Sequence, residues 1–315
     1  MKLSKLVDMF LMDNEIKGNS KKTVKQYTRV LGYFVDFTND VDVSELSVNL
    51  IKSYQKNLLE RDFIGNNYWS GRPGQKLTRT TVNTYMTHVR TFIIYLYNNG
   101  YISSKLFDKV QIVKKPKKIK EILTEQQIET VLMTFSNCEL SVRNECIFLS
   151  MVDAGLRLSE VCNLNVSDVI LNSNMIKINE AKGFKDRYVP ISLSFKKALY
   201  KYMTLYRIPD SVDEQALFLS KYRLRMTDKA VTSVICRLRH KVGFKKFNPH
   251  LLRHTFATRY IINGGDMFNL QLILGHEDLS TCRKYVHLAR YYMQSDYSKI
   301  STCDRLVKNN SKIKI

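Results

Sequence analysis

No stretch of this chain stays apolar for long. The longest runs, such as Thr91–Tyr97, fall far short of the ~20 residues that a membrane-spanning helix needs. The first residues place Asp8, Asp13 and Glu15 where a signal peptide would keep an apolar core and a small-residue cleavage site. The expectation is a cytoplasmic protein with no membrane partner. Cys138, Cys146, Cys162, Cys236, Cys282 and Cys303 are scattered without a C-x-x-C pair, so their spacing favours reduced thiols over a zinc site or a disulfide frame. Neither a G-x-x-x-x-G-K-[ST] nor a G-x-G-x-x-G pattern occurs, which removes the usual signals for a nucleotide-phosphate loop. No internal repeat is visible. Acid is also scarce: 29 Asp and Glu face 50 Lys and Arg, a formal charge of +21. A surplus of that size points to a polyanionic partner, and nucleic acid leads once a membrane is set aside.

The 315 residues suggest two domains at roughly 100–200 residues each. The clearest seam is KVQIVKKPKKIK at 109–120, rich in lysine, broken by one proline and lacking helical apolar spacing. It reads as an extended basic linker, because helical periodicity lies on both sides. Boundaries follow at 1–110 for a helical domain, 111–121 for the linker, 122–300 for a second domain and 301–315 for a tail. Upstream, Asn19 or Ser20 caps a helix whose apolar residues Val24, Tyr27, Leu31, Phe34 and Val35 keep a 3.6-residue period. Lys21, Lys25 and Arg29 recur on its other side. A second helix covers about Arg79–Asn98, with Val82, Met86, Val89, Ile93 and Leu96 toward a core and Arg79, Asn83 and Arg90 projecting elsewhere. From Gly71 to Lys120 there are 11 Lys and Arg and one acid. Such a concentration suits a surface that neutralises DNA phosphates and releases their counterions. Linker residues Lys114, Lys115, Lys117 and Lys118 would add to it.

Downstream the pattern stays mainly helical, with Thr124 and Gln127 forming a capping box. Met175–Asn179 and Arg187–Ile191 read as a β-hairpin with lysines at its tip. Further helices are expected around Thr227–Val242, His250–Ile262 and Phe268–Leu274.

Five islands in this half carry chemistry: AGLRLSE at 154–160, AKG at 181–183, HLLRHTFAT at 250–258, LGHE at 274–277 and YVH at 285–287. They supply two arginines, a lysine, four histidines and a tyrosine. Arginine forks match phosphate oxygens bidentately and stay protonated, so a pair can hold a phosphodiester as charge builds on it. Phosphoryl transfer asks mainly for such positioning and electrostatic stabilisation, plus a proton for the leaving oxygen. Tyrosine, with an ordinary pKa of roughly 10, becomes a nucleophile only where neighbouring cations favour the phenolate. His250 and His254 are four apart on a helix, the spacing of a zinc pair, but Leu251 stands where a metalloprotease has Glu and no third ligand is evident. His254 therefore reads as structural. Lys185 competes with Lys182 for the hairpin role.

The H-x-x-R-H-T-F-A-T stretch, then L-G-H, then a tyrosine nine residues after that histidine, resembles the catalytic domain of the tyrosine recombinases, the phage-integrase family. The helices around Lys21 and Thr81 resemble its amino-terminal core-binding domain, so the likeness spans about residues 3–290. It implies a mainly α fold with a small β-hairpin or sheet, in which a helical SAM-like core-binding domain and a catalytic domain close as a C-shaped clamp on double-stranded DNA.

The resemblance also implies roles. Tyr285 attacks the scissile phosphate, Arg157 and Arg253 bind the non-bridging oxygens, and Lys182 protonates the leaving 5′ oxygen. His250 assists proton transfer at Tyr285, His276 hydrogen-bonds the phosphate, and Glu160 orients Arg157. Neither metal, ATP nor another cofactor is expected. A homotetramer on two synapsed sites, a Holliday junction, an accessory DNA-bending protein and a nucleoid location are further expectations. So is a carboxy-terminal tail docked on a neighbouring protomer. The short leader before the first basic helix suggests that the arm-binding domain of some phage integrases is missing, as in Xer-type or simple mobile-element members. Two other readings stand beside recombination: a nicking-and-resealing enzyme of the type IB topoisomerase kind, and a DNA-binding protein without catalysis.

Overall fold

The computed structural model describes residues 1–60, 76–110, 121–179, 186–275, 282–286 and 289. It divides into two compact units, Met1–Lys118 and Ile119–Ile315.

The first unit is helical. Its helices are α1 (Leu3–Ile16), α2 (Lys21–Thr38), α3 (Val48–Glu60) and α4 (Arg79–Asn98). Ser20, not Asn19, starts α2, its hydroxyl accepting the Thr23 N–H at 3.1 Å. Asn39 ends that helix in the left-handed conformation. Thr78 caps α4 in the same way as Ser20 caps α2. Val24, Leu31 and Phe34 are buried, and Tyr27 and Val35 pack against the same core. All five expected core residues of α4 are buried as well. Because α1, α2 and α3 each pack on α4, its buried face is wider than one apolar stripe. That corrects one expectation: Asn83 is 5% exposed and faces the interior, so it is not placed to meet DNA. Lys21, Lys25 and Arg79 are exposed, and Arg29 is half-buried. Arg90 is also half-buried, donating from Nε to the Phe107 carbonyl at 3.2 Å, its guanidinium carbon 6.0 Å from that ring's centroid.

The second unit is built round α6 (Glu139–Val152). Cys146, Ile147, Phe148 and Met151 are fully inaccessible, so this helix is buried on several sides, as a central helix should be. Before it lies α5 (Glu125–Leu132), opened by the Thr124–Gln127 capping box. After it come α7 (Leu158–Asn163) and three antiparallel strands, β1 (Val169–Ile170), β2 (Met175–Ile178) and β3 (Arg187–Pro190), in that order. The hairpin register pairs Ile176 with Val189 and Ile178 with Arg187. Alternation along β3 puts Arg187 and Val189 on the buried face, with Tyr188 outside. Next is α8 (Leu193–Lys201), which continues as a π-helical turn over Tyr202–Tyr206. Among the described residues up to 275, three more helices follow: α9 (Asp228–Val242), α10 (Pro249–Ile262) and α11 (Met267–Leu274). Asn248 caps α10 with Pro249 in its first turn, and Asp266 caps α11. Gly275 ends α11 at φ +61°, the left-handed geometry that suits glycine at a helix terminus.

No helix among the described residues is long and apolar enough to cross a membrane.

Candidate active site

The site forms where α7, β3, α10 and the end of α11 meet. Arg157 lies immediately before α7, in extended geometry. Glu160, in the first turn, reaches back so that its Oε2 accepts the Arg157 backbone N–H at 2.7 Å. Its Oε1 accepts from Arg157 Nη1 at 2.6 Å and pairs with Arg187 Nη2 at 2.9 Å. Oε2 also stands 3.7 Å from Arg253 Nη1. Among the described residues, one carboxylate thus serves three guanidiniums.

The Glu160 side chain is 10% exposed, and burial alone would raise its pKa. Arg187, the Arg157 backbone N–H and the Arg157 guanidinium outweigh burial and hold it below the ordinary 4.5. Arg253, 6% exposed, is pushed down to about 10 by burial first, then by its cationic neighbours Arg157 and Arg187 against the pull of Glu160. It remains protonated at neutral pH. These are the electrostatics of a buried anion site.

Backbone carbonyls fix the guanidiniums further. Arg253 Nη1 donates to Gly155 O at 2.7 Å and its Nη2 to Leu274 O at 2.7 Å. Arg157 Nη2 donates to Gly275 O at 3.0 Å, and Arg187 Nε to Ile273 O at 2.9 Å. Gly155 can present its carbonyl because it adopts φ +67°, and a Cβ there would lie 2.3 Å from Phe256 Cδ1. Both the conformation and the contact require glycine.

Tyr285 sits in a helical segment over 282–286 and is 8% exposed. It packs with Ala257, Ile261, Leu270 and Leu274. Burial raises its phenol above the ordinary 10, with Cys282 adding to the rise, while Arg253 and Arg157 pull the other way. Its ring lies 5.2 Å from that of His254, tilted by 49°. His254 is in turn stacked on His250 at 6.5 Å and 12°. His250 is exposed and His254 buried. The sequence-based candidates Arg157, Glu160, Arg253 and Tyr285 therefore come together, with His250 one stacked ring beyond His254. Lys182 and its rival Lys185, His276, the linker residues Lys114, Lys115, Lys117 and Lys118, and the tail 301–315 lie outside the described residues.

Arg187 is the residue that sequence reasoning missed. Its signal was present, since Arg187 stands two residues before the fully buried Val189 on an alternating strand. A cation at a core-facing strand position demands a partner inside.

Comparison with known proteins assigns the family. Residues 121–291 match the sequence profile of the phage integrase family, and residues 5–112 match that of the phage integrase SAM-like domain. A tyrosine recombinase XerC of Thermodesulfovibrio yellowstonii is 30% identical over 290 residues, covering 90% of this chain and 91% of the relative. In fold, the chain resembles the Tn1549 transposon integrase solved with a circular-intermediate DNA, with TM-score 0.72, 20% identity, and coverage of 94% of this chain and 99% of that one. It also resembles a lambda integrase tetramer solved on a Holliday junction, with TM-score 0.66, 16% identity, and coverage of 88% and 78%. A tyrosine preceded by this arginine–carboxylate cluster, together with two domain profiles and a relative matched along nearly its whole length, assigns the chain to the phage integrase family as a site-specific tyrosine recombinase of the Xer type.

Proposed function

We propose that this recombinase cuts and rejoins double-stranded DNA through a covalent tyrosyl intermediate, with Tyr285 as nucleophile. The observation that carries the reading is a cluster of cations gathered round a buried carboxylate beside a tyrosine. Three guanidiniums round one carboxylate would receive a phosphodiester anion that burial otherwise penalises.

Tyr285 Oη attacks the scissile phosphorus, the P–O5′ bond breaks, and a 3′-phosphotyrosyl linkage and a 5′-hydroxyl form. Arg157 and Arg253 hold the non-bridging oxygens, to which His276 adds a hydrogen bond. The phenol proton leaves toward His250, and Lys182 gives its proton to the departing 5′ oxygen. The reverse attack, by the 5′-hydroxyl of a different strand, restores both protons and completes an exchange. The bond energy is kept in the phosphotyrosine, so the balance needs neither metal nor ATP.

The exposed Lys21, Lys25 and Arg79 on the first unit, with the basic stretch at 109–120, suit contacts to the phosphate backbone. The lambda integrase tetramer on its junction supports a homotetramer that acts on two synapsed sites and passes through a Holliday junction. An accessory DNA-bending protein and a nucleoid location fit the same reading. Integration, excision, inversion and dimer resolution all share this chemistry.

The test uses DNA flanking the gene, in EDTA and without ATP, with wild type beside Tyr285→Phe. A denaturant-resistant protein–DNA band in wild type alone is expected. A band that persists in Tyr285→Phe, or none in wild type despite intact binding, overturns the assignment. Strand exchange between two labelled duplexes separates recombination from nicking and resealing.

A further inference from the structure

Three consecutive carbonyls at the end of α11 each hold a different arginine: Ile273 takes Arg187, Leu274 takes Arg253 and Gly275 takes Arg157. Carbonyls in a last helical turn lack partners within the helix and carry partial negative charge, which favours cations there. The same three side chains meet again on Glu160. Arg157 and Arg253 already have roles in the proposed reaction, and Arg187 has none.

We propose that Arg187 is a positioning residue of the cleavage step, holding the Glu160 carboxylate in the orientation from which it aligns Arg157 and Arg253; the inference rests on the function proposed above. Oε1 of Glu160 is shared between Arg157 Nη1 and Arg187 Nη2. Without Arg187 that oxygen loses one of two restraints, and the carboxylate can swing so that Oε2, now 3.7 Å from Arg253 Nη1, closes on Arg253 and draws it off line. A buried guanidinium is an unfavourable filler for a strand position whose neighbour Val189 is fully buried, since the like charges of Arg157 and Arg253 already oppose it. Arg187 Nε donates to the Ile273 carbonyl at the end of α11 while its Nη2 forms an ion pair with Glu160. Only a planar fork spans both, and an ammonium cannot. Arg187 also opens β3 opposite Ile178 of β2, so it ties that strand pair to the arginine pair.

The test is single-turnover cleavage of a nicked duplex carrying the site mapped from the Tyr285 adduct. Wild type is compared with Arg187→Met and Arg187→Lys, each checked for DNA affinity and thermal melting. Misplacement by about 1 Å can lower a rate by about 100-fold. Arg187→Met is therefore expected to bind as wild type does and to cleave about 100-fold slower, and Arg187→Lys to recover less than a tenth of the wild-type rate. The second substrate carries a methylphosphonate at the scissile position. That linkage has no non-bridging charge for the aligned pair to stabilise, so the defect is expected to shrink to about 5-fold or less. A structural defect would slow both substrates equally, and that result overturns the proposal, as does wild-type cleavage by either variant. Wild type forming no Tyr285 adduct overturns the functional reading and this inference with it.

Discussion

Glu160→Gln removes the carboxylate that three guanidiniums of the site share. The substitution preserves shape and one carbonyl oxygen, but places an NH2 where the second oxygen was. Turned one way, that amide faces Arg157 Nη1 and Arg187 Nη2, which now contact Oε1 at 2.6 and 2.9 Å. Turned the other way, it faces the Arg157 backbone N–H, now 2.7 Å from Oε2. In both cases a donor meets donors, and three guanidiniums lose the carboxylate that they share. Removing one member of a buried ion pair costs about 3–5 kcal/mol. The lower end, about 3 kcal/mol, applies here because Gln retains one acceptor. For a unit of this size, each kcal/mol shifts Tm by about 2–4 °C, so Tm at neutral pH should fall by about 6–12 °C.

The pH dependence supplies an internal control. The Glu160 pKa is depressed in the folded state. Its contribution is therefore present above the ordinary value of 4.5 and is lost as pH falls through the lowered native value. Wild-type and Glu160→Gln stabilities should consequently converge in acid and separate as pH rises past 4.5. The assay is a set of thermal or urea melts of both proteins across that range. A Tm loss under about 2 °C at neutral pH, which corresponds to less than about 1 kcal/mol, or a gap that persists unchanged in acid, would falsify the account of Glu160 as the shared counter-charge.

The phenol of Tyr285 should ionise above 10 in the free protein, read as the difference between ultraviolet titrations of wild type and Tyr285→Phe; an inflection at or below 10 refutes it. Arg253→Lys loses the paired bonds to Gly155 and Leu274 and should cut single-turnover cleavage at least about 100-fold, whereas near-normal cleavage would end the argument for a bidentate clamp. Gly155→Ala meets both a left-handed backbone and the Phe256 ring, and should cost about 2–4 kcal/mol in urea unfolding. A loss under about 1 kcal/mol would mean that the Phe256 ring moves aside freely.

The helices were legible because their signals are local. Ser20, Thr78, Thr124 and Thr227 all cap where hydroxyls precede periodic apolar residues. The hairpin of β2 and β3 announced itself by alternation, and Arg157, Arg253 and Tyr285 by fixed spacing within short islands. Asn83 misled because a single-face reading of α4 cannot foresee three helices packing on it. The π-helical turn over Tyr202–Tyr206 left no periodic trace, since its one-residue widening is set by tertiary contacts such as the buried Tyr202 hydroxyl against the Leu219 N–H at 3.3 Å. Arg187 stayed hidden for a related reason. Its partners are a glutamate 27 residues back in the chain and a carbonyl 86 residues ahead, and no local pattern encodes them.

The end of α11 acts as a ruler with three marks. Each residue added to or removed from a helix turns the rest of that helix by about 100° and moves it by about 1.5 Å. A single insertion between the Asp266 cap and Gly275 would hand every arginine the wrong carbonyl at once. A rigid shift of the whole helix, by contrast, carries all three marks together and keeps their mutual spacing. The site should thus tolerate displacement far better than miscounting. An insertion in a surface loop should therefore cost far less than one between Asp266 and Gly275.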